Sequence, residues 1–191
     1  MKNFDYLLME EASREAIAID SGWETGPVVR AALEDGMRVR YVVASHGHFD
    51  HVETLGELAG KLGAKTVAHE SSGLLTDLRV KGGDSLTVGG TVVGIIHTPG
   101  HTPDSICLFD GHNLFTGDTL FIGNCGRTDL PGGSTAELFR SLHTVLMALP
   151  SQAVIYPGHD YGEVPSRTLG EEVKLNPTLR ARDLRDFAGV E

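Results

Sequence analysis

The segment 45-SHGHFDH-51 brings three histidines and an aspartate into seven consecutive positions. The preceding residues, 38-RVRYVVA-44, end in an apolar run and predict a largely buried strand. The following residues, 52-VETLGELAGKLGA-64, carry apolar side chains three and four positions apart and predict an amphipathic helix. The imidazole cluster is therefore expected on a loop between a strand and a helix.

The side chains of this loop predict a metal centre. Alternate side chains of an extended backbone point to one side, so His46, His48 and Asp50 can converge, whereas His51 begins the next element and points elsewhere. Imidazole nitrogen and carboxylate oxygen suit zinc, iron, manganese or cobalt. A cluster aimed in two directions suits two ions better than one. Asp50 is also the candidate catalytic residue, since beside ligation it can orient an attacking water; a helix N-cap is the less favoured alternative.

Three further potential ligands lie on turns where predicted strands end, a common place for sites in sheet proteins. They are His101 in HTPGHTPDS, Asp118 in FTGDTLF and His159 in YPGHDYG. The sequence therefore predicts a metal cluster of seven residues: His46, His48, Asp50, His51, His101, Asp118 and His159.

Composition limits the partners and the compartment. The 191 residues carry a formal net charge of -10 and no basic cluster long enough to follow a phosphate backbone, so nucleic acid is not an expected partner. The two cysteines, Cys107 and Cys125, form no CxxC pair, and no apolar stretch approaches the length of a membrane span. We expect a single cytoplasmic domain over residues 1–191 without a membrane anchor.

The remaining pattern predicts sheets covered by helices, an α/β (α+β) protein. A β-hairpin is expected over 4–20, a helix over 27–36, a β-meander over 65–125, a helix over 135–150 that Ser134 caps, and a helix from 168 that Pro177 stops. Strands and helices in this order favour helices on the outer faces of the sheet layers.

The HxHxDH segment, followed in order by Gly-His, Gly-Asp and Gly-His turns, resembles the metallo-β-lactamase-fold superfamily over nearly the whole chain. The resemblance implies an αββα sandwich of two mixed β-sheets flanked by helices, with metal at one edge. Two stretches, 123-GNCGRTDLPGG-133 and 156–177, resemble the branch that contains glyoxalase II-type thioester hydrolases and persulfide dioxygenases.

The resemblance implies two alternative centres. In the hydrolase, two divalent ions (zinc, or iron or manganese) activate a water that attacks a thioester such as an acyl-glutathione or another acyl-thiol. Its ligands would be His46, His48 and His101 on one metal, Asp50, His51 and His159 on the other, and Asp118 between them.

The hydrolase is the first hypothesis, and a persulfide dioxygenase is the alternative. The dioxygenase would hold one iron on His46, His101 and Asp118, which leaves positions open for dioxygen and sulfur. A third hypothesis, an inactive binding module, fits poorly with a costly buried polar cluster.

Substrate contacts and assembly are less defined. Arg127 can hold a substrate carboxylate or pair with Asp129, Cys125 can contact a sulfur substrate or simply be buried, and Tyr161 can line the pocket. We expect a small-molecule partner, an acyl-thiol or glutathione derivative, and leave a homo-oligomer open. Because the chain ends soon after His159, most of the C-terminal helical extension of glyoxalase II is expected to be absent, which would leave a more open pocket or one completed by a neighbouring subunit.

Overall fold

Two mixed β-sheets pack face to face in the computed structural model, which describes residues 2–190. The first sheet has the strand order β1 (Tyr6–Glu10), β2 (Glu15–Ile19), β3 (Arg38–Val43), β4 (Lys65–His69) and β5 (Leu78–Val80). Its β1–β2 pair is antiparallel, and its other pairs are parallel.

The second sheet contains the later strands. Running from its β6 edge, it consists of β6 (Ser85–Val88), β7 (Thr91–His97), β8 (Ile106–Phe109), β9 (Asn113–Gly117), β10 (Val154–Pro157) and β11 (Arg167–Thr168). Its β9–β10 pair is parallel and the other pairs are antiparallel.

The helices cover the outer faces. They are α1 (Gly26–Glu34), α2 (Phe49–Val52), α3 (Leu55–Leu62), α4 (Thr135–Arg140), α5 (Leu169–Leu175), α6 (Pro177–Arg180) and α7 (Leu184–Phe187). A π-helical turn (Ser141–Val145) and a 3₁₀ turn (Leu146–Ala148) continue α4. The predicted αββα sandwich of two mixed β-sheets is confirmed.

Residue alternation along β2 explains the layers. Ala16 and Ala18 face α1 and α3, whereas Ile17 and Ile19 enter the core between the two sheets. Successive side chains of a strand point to opposite faces, so this one strand contributes to two apolar layers. Small residues on the outer face leave room for the helices, and large ones fill the space between the sheets.

Several element predictions held, and others need correction. Ser134 caps α4 by accepting from the backbone N–H of Glu137 at 3.3 Å, as predicted. The continuous helix expected over 52–64 is wrong, because a break separates α2 from α3. Pro177 does not simply stop a helix; it opens α6, and Asn176 caps that helix through its side-chain oxygen.

The meander expected over 65–125 is also wrong in its first part. β4 and β5 run parallel to β3 in the first sheet, and only β6 to β9 form an antiparallel meander. Thr66 to His69 are buried on both faces of the sheet, as is typical of parallel strands between covering layers. Among residues 2–190, no helix is long and apolar enough to cross a bilayer.

Candidate metal centre

The seven predicted ligand residues meet at one edge of the sandwich, just beyond the ends of four strands. The 46–51 segment follows β3, His101 lies on the loop after β7, Asp118 directly follows β9, and His159 lies just after β10. Six of these side chains are buried, and His48 is partly exposed. Folding therefore assembles residues far apart in sequence into one polar cluster.

The first group comprises His46, His48 and His101, whose ligand atoms lie within 4.8 Å of one another. Nδ1 of His48 is 3.1 Å from Nε2 of His46 and 3.0 Å from Nε2 of His101. Convergence of three imidazole nitrogens with an open side towards a cavity is the arrangement that a transition-metal ion requires.

The second group comprises Asp50, His51 and His159, again within 4.8 Å. The Nε2 atoms of His51 and His159 are 3.3 Å apart, and Oδ2 of Asp50 lies 3.5 Å from Nε2 of His159. Asp50 is the second residue of the short helix α2, so it enters the centre from a different element than His46. The HxHxDH side chains thus divide between two groups, but the expected convergence of Asp50 with His46 and His48 is wrong, because the backbone turns helical at Phe49 and directs Asp50 to the group of His51.

Asp118 lies between the two groups. Its Oδ2 atom is 3.6 Å from Nε2 of His101 and 3.2 Å from Nε2 of His159, and its Oδ1 atom is 3.3 Å from Nε2 of His51. Oδ1 is buried without a hydrogen-bond partner, which leaves an acceptor of a buried carboxylate available to a cation. This orphaned oxygen and the imidazole donors fit one or two divalent cations. Ligation by the seven residues remains a prediction.

Two glycines allow this close packing. A Cβ atom at Gly126 would lie 1.9 Å from the backbone oxygen of Asp118 and 3.0 Å from the ring of His101. At Gly158 it would lie 2.3 Å from Oδ1 of Asp118. Both glycines are therefore required by close approach to the centre.

Asp20 and Ser45 orient the histidines, and the sequence reasoning missed them. Asp20 accepts from Nδ1 of His51 at 2.9 Å, from the Ser45 backbone N–H at 2.7 Å and from the Ser45 hydroxyl at 2.8 Å. The Ser45 oxygen in turn lies 3.1 Å from Nδ1 of His46. Outer hydrogen bonds of this kind fix the tautomer and ring orientation of a metal-binding imidazole. The only signal in the sequence was an aspartate at the end of a strand.

The carboxylates and the burial shift the acid–base behaviour of the cluster. Burial and the neighbouring imidazole of His51 lower the pKa of His46 well below its ordinary value, which keeps that ring neutral. Burial alone would lower the pKa of His51, but Asp20 and Asp118 outweigh it and raise the pKa to about 11. Burial would raise the pKa of Asp118, yet the imidazoles of His159 and His51 hold it well below the ordinary range. A metal ion that binds His51 must therefore displace a proton.

The predicted substrate residues line a cavity of about 570 Å³ that opens onto the centre. Cys125 is buried in its wall, and the ring of Tyr161 stacks on His159 with centroids 4.7 Å apart. Arg127 forms a two-pronged ion pair with Asp129, with Nε–Oδ1 and Nη2–Oδ2 distances of 2.5 and 2.6 Å. Its backbone oxygen lies 2.7 Å from Nδ1 of His101 and orients that ring.

Known proteins are similar to this chain in sequence and in fold. The chain is 39% identical to the mitochondrial persulfide dioxygenase ETHE1 of Homo sapiens over 180 residues, which cover 92% of this chain and 71% of the relative. A hydroxyacylglutathione hydrolase of Methylobacterium nodulans is 35% identical over 94% of this chain and 83% of its own length.

A solved structure extends the similarity to three dimensions. The crystal structure of ETHE1 from Myxococcus xanthus superposes with a TM-score of 0.93 at 33% identity, covering 99% of this chain and 84% of that one. These relatives confirm the expected branch. The family model of the metallo-β-lactamase superfamily matches residues 6–159, and the chain belongs to that superfamily.

Proposed function

We propose that the protein is an iron-dependent persulfide dioxygenase. The observation that carries the proposal is 39% identity to a persulfide dioxygenase over 92% of the chain, which includes His46, His101 and Asp118. The reaction is R–S–SH + O₂ + H₂O → R–SH + SO₃²⁻ + 2H⁺. The outer sulfur is oxidised to the level of sulfite, dioxygen accepts the four electrons, and the S–S bond breaks to release the thiol.

The residue types of His46, His101 and Asp118 fit a single iron position, and the converging groups of the structure join them pairwise: His46 with His101, and His46 with Asp118. Two imidazoles and one carboxylate are the ligand type of mononuclear iron oxygenases, and Nε2 of His101 lies 3.6 Å from Oδ2 of Asp118. Iron bound there would supply open coordination positions for dioxygen and for the sulfur of the substrate.

The rest of the chain prepares this position. The Arg127 carbonyl accepts from Nδ1 of His101, which leaves Nε2 free to face the centre. Ser45 makes the equivalent contact with Nδ1 of His46. These contacts hold the ligand nitrogens in position before the substrate enters.

A thioester hydrolase is the second candidate. The hydroxyacylglutathione hydrolase match and the second group of Asp50, His51 and His159 favour it. The sequence reasoning preferred the hydrolase, whereas the relatives give more support to the dioxygenase. The ligand residues are compatible with both reactions, so the metal content and the reaction must be measured together.

The test combines elemental analysis with two assays of protein purified without added metal. Oxygen uptake is measured with glutathione persulfide, and thioester cleavage is measured with a panel of acyl-glutathiones. The proposal predicts close to one iron per chain and persulfide-dependent oxygen uptake. Two metals per chain with thioester cleavage and no oxygen uptake would replace it with the hydrolase.

A further inference from the structure

We propose that Asn3 is a positioning residue of the metal centre, which fixes the carboxylate of Asp50 and links it to the aromatic mouth of the cavity through Trp23. Asn3 lies outside the described lining of the cavity, whereas Asp50 belongs to it, so Asn3 acts through Asp50. The kinetic part of the inference rests on the proposed function, since it concerns the same cavity.

The backbone of Asn3 is fixed on the loop that carries His159. Asn3 and His159 form an antiparallel β-bridge, and the neighbouring Phe4 N–H donates to the Gly158 oxygen at 2.9 Å. This loop follows β10 of the second sheet, whereas Asp50 follows β3 of the first sheet. Asn3 therefore lies where the ligand segments of the two sheets meet.

The side-chain amide of Asn3 has partners on both of its polar atoms. Nδ2 donates to the backbone oxygen of Asp50 at 2.9 Å and to its Oδ2 atom at 3.0 Å, and Oδ1 accepts from Nε1 of Trp23 at 3.0 Å. An indole nitrogen only donates, and an ionised carboxylate only accepts, so these partners determine which way the amide faces. Asparagine supplies both the donor and the acceptor that this position requires.

Asp50 depends on this donor because its own element holds it weakly. The helix α2 has only four residues, and its N-cap residue, His48, makes no side-chain capping bond. The Nε2 atoms of His159 and His51 lie 3.5 and 3.7 Å from Oδ2 of Asp50, beyond ordinary hydrogen-bond length. Within residues 2–190, Asn3 is therefore the hydrogen-bond donor that orients this carboxylate.

The segment 20–23 holds the other end of the link. A Cβ atom at Gly22 would lie 2.0 Å from the backbone oxygen of Asp50, so only glycine permits this close approach. The ring of Trp23 meets Phe49, a residue of the cavity wall, edge to face with centroids 5.6 Å apart. One amide thus connects a carboxylate of the second ligand group with the aromatic pair at the mouth.

Within the proposed reaction, this arrangement prepares a hydrogen-bond acceptor in the cavity. Asp50 lines the cavity together with Asp118, and the reaction consumes a water and releases protons. A carboxylate with a fixed orientation accepts a hydrogen bond from that water without first reorganising, which lowers the barrier of the reaction and does not strengthen substrate binding. Loss of the Asn3 donor should therefore appear mainly in kcat.

The kinetic test is a double-mutant cycle of Asn3→Leu with Asp50→Ala, measured by oxygen uptake with glutathione persulfide. Asn3→Leu should lower kcat about tenfold, the effect of one hydrogen bond to a charged group, and leave KM nearly unchanged. In the Asp50→Ala protein the same substitution should have no further effect, because Asn3 acts through Asp50.

Asn3→Asp is a second variant of nearly the same shape as the wild type. It keeps an acceptor for Trp23 but places a negative charge against Asp50, so it should lower kcat at least as much as Asn3→Leu. Asn113→Leu is the matched control, since Nδ2 of Asn113 also donates to a carboxylate, that of Asp110 at 2.8 Å, outside the cavity lining. It should leave kcat and KM unchanged.

Tryptophan fluorescence follows the link without metal or turnover. Trp23 is the only tryptophan of the 191-residue sequence, so the emission of the metal-free protein reports on its contact with Asn3. Asn3→Leu should shift the emission to longer wavelength and increase quenching by acrylamide, because the indole loses its acceptor. Asn3→Asp retains an acceptor and should leave both close to the wild type.

The outcomes separate this inference from the proposed function. Wild-type kcat in Asn3→Asp, a loss confined to KM, an Asn3→Leu effect that persists in full without the Asp50 carboxylate, or unchanged Trp23 emission in Asn3→Leu overturns the inference. Absence of oxygen uptake by the wild type overturns the dioxygenase instead. Thioester cleavage then supplies kcat for the same cycle, since Asp50 is also the candidate catalytic residue of the hydrolase, and the fluorescence result stands in either case.

Discussion

Asp20→Asn is expected to weaken metal binding without removing any predicted ligand. The carboxylate of Asp20 accepts three hydrogen bonds, from the backbone N–H and hydroxyl of Ser45 and from Nδ1 of His51. An asparagine retains one acceptor oxygen and places an NH₂ group against the remaining donors. The Ser45 hydroxyl can rotate, but Nδ1 of His51 loses its acceptor, so the neutral ring keeps its proton on Nε2, the nitrogen that faces Asp118 and His159.

The size of this effect follows from the lost interaction. A hydrogen bond to a charged group contributes about 1.5–3 kcal/mol. Since about 1.4 kcal/mol corresponds to a tenfold change in affinity, loss of the His51 bond should weaken metal binding about 10- to 100-fold. Competition with a chromophoric chelator measures this affinity directly in the wild type and the variant.

Asp77→Asn is the matched control for this experiment. Asp77 also accepts from a backbone N–H and a hydroxyl, both of Thr66, at 2.8 and 2.9 Å, but it lies outside the candidate metal groups. It should lower thermal stability and leave metal affinity unchanged. If Asp20→Asn kept its metal affinity within twofold of the wild type, the orienting role of Asp20 would be refuted.

Three further changes test other parts of the centre. Asp118→Ala should remove more activity and more metal than Arg127→Ala, because Asp118 contacts both ligand groups whereas the Arg127 side chain faces Asp129. Elemental analysis measures the metal content of the two variants, and oxygen uptake measures their activity. Zinc binding to metal-free protein at pH 8 should release about one proton from His51, because its pKa of about 11 keeps it protonated at that pH. Calorimetry in buffers of different ionisation enthalpy measures the number of protons released. Glu172→Ala should destabilise the fold by about 3–5 kcal/mol, because it leaves Arg167 without its buried partner. It should also raise KM, because the cavity wall at Gly123 loses its hydrogen bond to Glu172. Denaturation measures the first effect and steady-state kinetics the second.

Each of these predictions has a contrary result. Equal losses in Asp118→Ala and Arg127→Ala with unchanged metal content would reverse the first ranking. Heat signals independent of the buffer would show that His51 releases no proton. The pKa of His51 is higher in the folded, metal-free protein than in the unfolded chain, so protonation of His51 stabilises the fold. This stabilisation is complete below the ordinary histidine pKa and should be lost as the pH rises through about 11. Wild-type stability and KM in the Glu172→Ala protein would show that the contact of Glu172 with Gly123 does not hold the cavity wall.

The sequence predicted the ligand cluster because its information is local. The strand before His46, the alternation that brings His46 and His48 together and the turns at His101, Asp118 and His159 each depend on short-range backbone geometry. Asp50 departs from that alternation because α2 begins at Phe49. Their convergence followed from the position of these turns at strand ends, and the resemblance supplied the sheet arrangement.

Other features depended on contacts that no local pattern contains. Asp20 reaches Ser45 only because β2 pairs with β3 in parallel, and it adopts a left-handed φ of 61° at the end of β2. The pairing of β4 with β5 in the first sheet likewise depends on contacts between separate strands and not on a local sequence pattern. The alternatives for Arg127 were equally compatible with the sequence, and geometry placed its guanidinium against Asp129.

The choice between two reactions had a different origin. The hydrolase and dioxygenase hypotheses use overlapping ligand sets, since His46, His101 and Asp118 belong to both. Residue identity at these positions therefore does not separate them. Support for the dioxygenase came from similarity over the whole chain.

The stoichiometry of the reaction distinguishes persulfide dioxygenation from any other use of the persulfide. Iron-loaded protein is given a limiting amount of a persulfide, and dioxygen consumed, sulfite formed and thiol released are measured in the same sample, with Asp118→Ala as the reference. The account predicts one sulfite and one thiol for each dioxygen, and loss of all three changes in the variant. Persulfide turnover without dioxygen consumption, or equal oxygen uptake by Asp118→Ala, would contradict it.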